Sequence, residues 1–134
     1  MPLAISPFLR RVLFIDAAVS GAAALLLLLG AGLLEPLLGL PQALMFWAGA
    51  ILVPFVALLL VVARRQHAPR LLLLDIVIAN ALWVVASFAL LAAGGIAPTV
   101  LGVAFVVAQA LAVALFAMLQ CAGLRSSPRH DAAA

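Results

Sequence analysis

The chain has 134 residues, 69% of them hydrophobic and only 8% charged, with a formal net charge of +3 and a mean hydropathy of +1.41. Soluble domains are about 45–50% apolar and about 25% charged, so a soluble enzyme, a nucleic-acid module and a disordered tail are excluded. The composition is that of a small integral membrane protein with one domain.

Four apolar runs follow in chain order. The first helix is predicted over 7–34, with Ser6 as N-cap and Pro7 at its first position. Arg10, Arg11 and Asp16 lie near its start, and Ala17–Leu34 then runs for 18 residues without a charge. Such a stretch rises about 27 Å, close to the hydrocarbon thickness of about 30 Å. Arg10-Arg11 before an apolar core also has the outline of a leader segment. Asp16 and the length of the core argue against cleavage.

Glu35-Pro36 is predicted to end this span. The second helix is expected over 42–63, with Pro54 inside it as a kink and Phe46 and Trp47 as interfacial anchors. Residues 66–69 read as a turn. The third helix is expected over 70–93, the breaker-rich segment Gly94-Gly95-Ile96-Ala97-Pro98 closes a turn, and the fourth helix covers 99–124. Residues 125–134 are polar and small, the pattern of a mobile tail. The runs are twice the length of a membrane strand and do not alternate, so the fold expected is an all-α, up-down bundle of four transmembrane helices.

All seven basic side chains are Arg, at positions 10, 11, 64, 65, 70, 125 and 129. In the up-down arrangement they fall on one side, and Glu35 alone marks the other. The positive-inside rule then puts both termini and the middle loop in the cytoplasm, in a bacterial-type inner membrane. The pI near 11.2 therefore reads as membrane anchoring, not as nucleic-acid binding.

Arg11–Asp16 and Arg70–Asp75 share the pattern R-x4-D, each followed by 18 uncharged residues and a Pro-containing turn. That points to a duplicated two-helix hairpin with Asp16 and Asp75 as counterparts. The two carboxylates read either as an interfacial ion-pair network with Arg10, Arg11 and Arg70, or as cation or proton sites. Deeper in the chain, Asn80, Trp83 and Ser87 share one face of the third helix. On the fourth helix, Gln109 lies on a seam that also holds Val106, Phe116 and Gln120. Gln109 is expected to hydrogen-bond to the Asn80–Trp83–Ser87 stripe, either as glue between helices or as the polar lining of a cavity. Small residues, Ala17–Ala24 in the first helix and Ala104, Ala108 and Ala112 in the fourth, suit close helix packing or a dimer face.

No His lies within a span, the lone Cys121 cannot form an intrachain disulfide, and no metal-ligand or phosphate-binding motif stands out. No cofactor or metal is expected, and the balance leans away from an enzyme. Chain length and span number are similar to those of the small multidrug-resistance exporters. Those carry an embedded Glu in the first helix, where this chain has Asp16, so no residue role is carried over. Three functions stay open. The first is a non-catalytic protein acting by association, as an accessory subunit or a homodimer. The second is a small dimeric transporter or channel using Asp16, Asp75 and an Asn80–Ser87–Gln109 path. The third is a membrane enzyme or lipid-binding protein, which needs an apolar pocket opening sideways near Asn80, Trp83 and Gln109.

Overall fold

A computed structural model describes residues 2–126. Four helices carry the fold: α1 (Pro7–Leu38), α2 (Gln42–Arg64), α3 (Arg70–Ala93) and α4 (Val100–Ser126). Each is long and apolar enough to cross a membrane. The fold is thus an all-helical bundle of candidate spans. Short links place consecutive helices antiparallel, with Arg10, Arg11, Arg64, Arg65, Arg70 and Arg125 at one end, here the arginine end. Residues 127–134, most of the polar tail expected from the sequence, lie outside the described residues.

α1 begins where the sequence predicts, with the Ser6 hydroxyl accepting from the Leu9 amide at 3.1 Å. It does not stop at Glu35-Pro36. Pro36 is helical, and the helix ends one turn later at Gly39, whose φ of 68° closes the C-terminus. Glu35 explains the extension. Its backbone carbonyl accepts from the Gly39 amide at 2.8 Å, and its carboxylate accepts from the Gln42 amide at 2.6 Å. Pro41, the residue before α2, cannot cap with its side chain, so Glu35 supplies the missing acceptor from the preceding helix. At 32 residues, α1 is about 48 Å long and exceeds a single hydrocarbon span.

Two short strands, β1 (Pro2–Ala4) and β2 (His67–Pro69), pair antiparallel across the arginine end. The expected turn at 66–69 is half of this pair. Three-residue strands containing Pro carry no usable periodicity, so nothing in the sequence marks them. The pairing draws Leu3 into a core with Leu13, Leu59, Val62, Leu73, Ile76 and Leu124, all nearly inaccessible. The arginine end of the bundle is therefore filled and capped.

α1 packs against α2, α3 against α4, and α1 against α4, whereas α2 and α3 scarcely meet. The buried stripe of α1 runs Leu9, Leu13, Asp16, Ser20, Ala24, Leu27 and Ala31, the 3–4 spacing of one helix face. Gly49 lets α2 approach this stripe closely, since a Cβ there would lie 3.1 Å from the Ala24 carbonyl oxygen. At the distal end, Thr99 joins the hairpins: its amide donates to Leu38 O at 3.0 Å and its hydroxyl to Leu37 O at 2.7 Å. The same hydroxyl accepts from the Gly102 amide at 3.0 Å and caps α4.

Candidate functional site

Asp16 lies on the buried stripe of α1, faces α3 and α4, and is inaccessible to solvent. It is about 14 Å along the axis from the start of α1, and its partner Asn80 is about 15 Å along α3. The sequence reading lets Asp16 reach the interface; here its carboxyl is enclosed by side chains of α1, α3 and α4. Its Oδ1 accepts from the Ser20 hydroxyl at 2.9 Å. Its Oδ2 accepts from Asn80 Nδ2 at 3.0 Å and from Gln120 Nε2 at 2.6 Å. Asn80 Nδ2 also donates to Gln120 Oε1 at 2.9 Å, closing a ring of side chains from three helices. The groups around Asp16 all donate, as a carboxylate, which only accepts, requires. Among the described residues no basic side chain pairs with Asp16, and these hydrogen bonds are the partners of its buried carboxyl.

The predicted Asp–Arg network does not form among the described residues. Arg10 donates to the backbone carbonyl of Ala63. Arg11 and Asp75 are exposed, and Arg70 is half-buried at the start of α3. Asp75 falls off the stripe of α3 formed by Leu73, Ile76, Asn80 and Ser87. Asp16 and Asp75 thus occupy different environments, and the structure does not bring them together.

The second polar group joins α3 and α4. Trp83 Nε1 donates to Gln109 Oε1 at 2.8 Å. Gln109 Nε2 donates to Ser87 Oγ at 2.9 Å and to Val106 O at 2.8 Å. The Ser87 hydroxyl donates to Trp83 O at 2.7 Å. Gln109 therefore makes the cross-helix bonds its spacing indicates, but Asn80 leaves that stripe for Asp16 and Gln120. Sequence reasoning passed over Ser20 and Gln120 as site residues. Ser20 stands four residues after Asp16, and Gln120 lies on the same seam as Gln109, so the signal was present. Pro54 sits within a continuous α2 with its side chain exposed.

Between these groups a cavity of about 370 Å³ is lined from all four helices. It is partly open to the outside of the bundle, and α2 and α3, which both line it, scarcely meet. Leu27, Leu44, Leu52, Leu90 and Phe105 give it an apolar wall. Ser20, Trp83, Ser87 and Gln109 are its polar points, and Trp47, largely exposed, contributes an indole. Asn80, expected at this pocket, is turned away from it into the Asp16 ring. Among the described residues, no three His, Cys, Asp or Glu side chains are grouped to hold a metal ion. The chain matches no protein-family model, and neither the curated proteins nor the solved structures contain a significant match to it.

Proposed function

We propose that the chain is a non-catalytic membrane protein that takes one apolar, chain-like molecule from the bilayer into the cavity between α2 and α3. The cavity carries this reading. Its 370 Å³ falls in the range of about 300–1,000 Å³ typical of small-molecule pockets, which combine apolar walls with a few placed polar groups. Along α4 the lining runs from Phe105 to Phe116, a rise of about 16 Å. A cavity of this length and volume suits a slender hydrocarbon chain.

The filled arginine end supports binding over conduction, because Leu3, Leu59, Val62 and Leu73 occupy the path a channel would need. Association with a second copy or another subunit is a second reading, favoured by Ala104 and Ala108, exposed one turn apart on α4. In either case the arginines support a bacterial-type inner membrane with both termini cytoplasmic.

The test uses the full chain in lipid nanodiscs. In a Trp47→Phe background, where Trp83 is the only tryptophan, a brominated alkane that enters the cavity should quench it, and adding Ala48→Phe, which fills the α2 wall, should abolish the quenching while the fold survives. Equal quenching in the two proteins refutes the cavity as a binding site.

A further inference from the structure

The hydrogen-bond donors along the inner wall of the cavity are all engaged within the protein. The Ser20 hydroxyl donates to Asp16, and the Ser87 hydroxyl to the Trp83 carbonyl. The Trp83 indole N–H donates to Gln109 Oε1, and the two N–H groups of Gln109 go to Ser87 Oγ and Val106 O. The indole of Trp47 stands apart, 64% exposed at the edge of the cavity, where Trp side chains meet the membrane interface.

The acceptors on the same wall are not all engaged. A hydroxyl oxygen has two lone pairs, and Ser20 Oγ accepts no hydrogen bond. An amide oxygen also has two, and Gln109 Oε1 accepts only from Trp83. A ligand inside this cavity meets apolar walls and spare lone pairs. At the inner wall beside Ser20 and Gln109, away from the Trp47 indole, a polar group that can only accept, such as an ether, an ester or a ketone, would be desolvated without a partner. A group that donates would be satisfied.

We infer that the ligand is a long-chain molecule bearing a hydrogen-bond donor, a fatty alcohol or a chemical relative, with its hydroxyl held by Ser20 Oγ or Gln109 Oε1. This rests on the binding reading given above and adds the polar chemistry of the ligand to it. Ser20 extends the inference to the buried ring. The oxygen that receives the ligand's proton is the one whose own proton is given to Asp16, so the two bonds run in one direction and polarise each other.

The experiment compares dodecanol, dodecyl methyl ether and dodecane at equal mole fraction in nanodisc lipid, each displacing the brominated alkane from the full chain. Trp47→Phe makes Trp83 the only fluorophore. Dodecanol should displace the quencher about 3- to 10-fold more effectively than the ether, the ratio of one neutral hydrogen bond. Ser20→Ala and Gln109→Met, tested separately, should lower that ratio at the oxygen that holds the hydroxyl. Because the ratio is read first on the unsubstituted wall, a variant that fails to fold does not remove the test. If alcohol and ether displace equally, the donor inference is overturned while the cavity reading stands. If none of the three displaces the quencher, both fall.

Discussion

Gly102→Ala should break the joint between the two hairpins. Gly102 is buried in the first turn of α4, where α1 ends. A Cβ built there would lie 1.9 Å from the Leu38 carbonyl oxygen, and side chains essentially never approach within 3.0 Å. The obstacle is backbone, so no rotamer change relieves it, and α1 and α4 must separate by about 1 Å at this point. Moving Leu38 by that much takes its carbonyl out of reach of the Thr99 amide, now 3.0 Å away, and carries Leu37 O away from the Thr99 hydroxyl, now at 2.7 Å. Two hydrogen bonds at about 0.5–1.5 kcal/mol each, with about 1–3 kcal/mol for overpacking, give a loss of about 2–6 kcal/mol. Unfolding in mixed micelles with rising denaturing detergent, followed by tryptophan fluorescence, measures it. Gly95→Ala is the control, because a Cβ at Gly95 meets nothing within 4 Å. If the two variants unfold within about 0.5 kcal/mol of each other, the usual scatter of surface substitutions, the close approach of α1 and α4 does not hold the bundle.

Asp16→Ala removes the acceptor of three donors and should cost about 2–4 kcal/mol in the same titration, with Asp75→Ala unchanged within error. In a double-mutant cycle, Asn80→Ala and Gln120→Ala should couple to each other by about 0.6–2 kcal/mol, whereas Asn80→Ala and Gln109→Ala should be additive. Glu35→Ala should cost about 1 kcal/mol, with faster amide exchange at Gln42, because the carboxylate is that amide's only partner outside its own helix. Gln109→Leu should alter the emission of Trp83, whose indole N–H loses its acceptor, and a Trp83 spectrum identical to that of the parent chain would contradict the bond.

How far the sequence reveals the site depends on how local the signal is. Apolar runs and breakers place four helices in the right order, because in a membrane each helix satisfies its own backbone; the end of α1 is missed because Glu35-Pro36 is carried within the helix. Gln109 is legible for a similar reason: on a face of Val, Ala and Phe, a lone amide must find a partner. The burial of Asp16 is less legible because arginines stand close to it in the chain. Arg10 and Arg11 lie within two turns of it, and a short distance along the chain resembles a short distance to water. The 3–4 spacing Leu9, Leu13, Asp16, Ser20, Ala24 already put Asp16 on the inward face. The R-x4-D repeat drew attention to what Asp16 and Asp75 share and away from their different faces. β1 and β2 lie beyond sequence reading altogether, since their pairing depends on how the helix ends converge.

The same placement of polar residues orders which helices are tied to which. In hydrocarbon, apolar contact between helices gains little over contact with lipid, so small-residue approach and polar bonds decide which helices stay together. Asp16, Asn80 and Gln120 tie α1, α3 and α4 to one another. Trp83, Ser87 and Gln109 tie α3 to α4 again, and Thr99 ties α4 to α1. α2 has no polar residue between Gln42 and Arg64 apart from the indole of Trp47. Its ties run to α1, through Gly49, the Glu35–Gln42 bond and the Arg10–Ala63 bond. No described side-chain hydrogen bond joins α2 to α3. On the binding reading proposed above, a lipid chain entering between α2 and α3 would break no described side-chain hydrogen bond. Ala86→Phe, which fills the α3 side of this seam, should abolish quenching of Trp83 by the brominated alkane. If quenching persists in the folded variant, access runs elsewhere and the α2–α3 seam is not the opening.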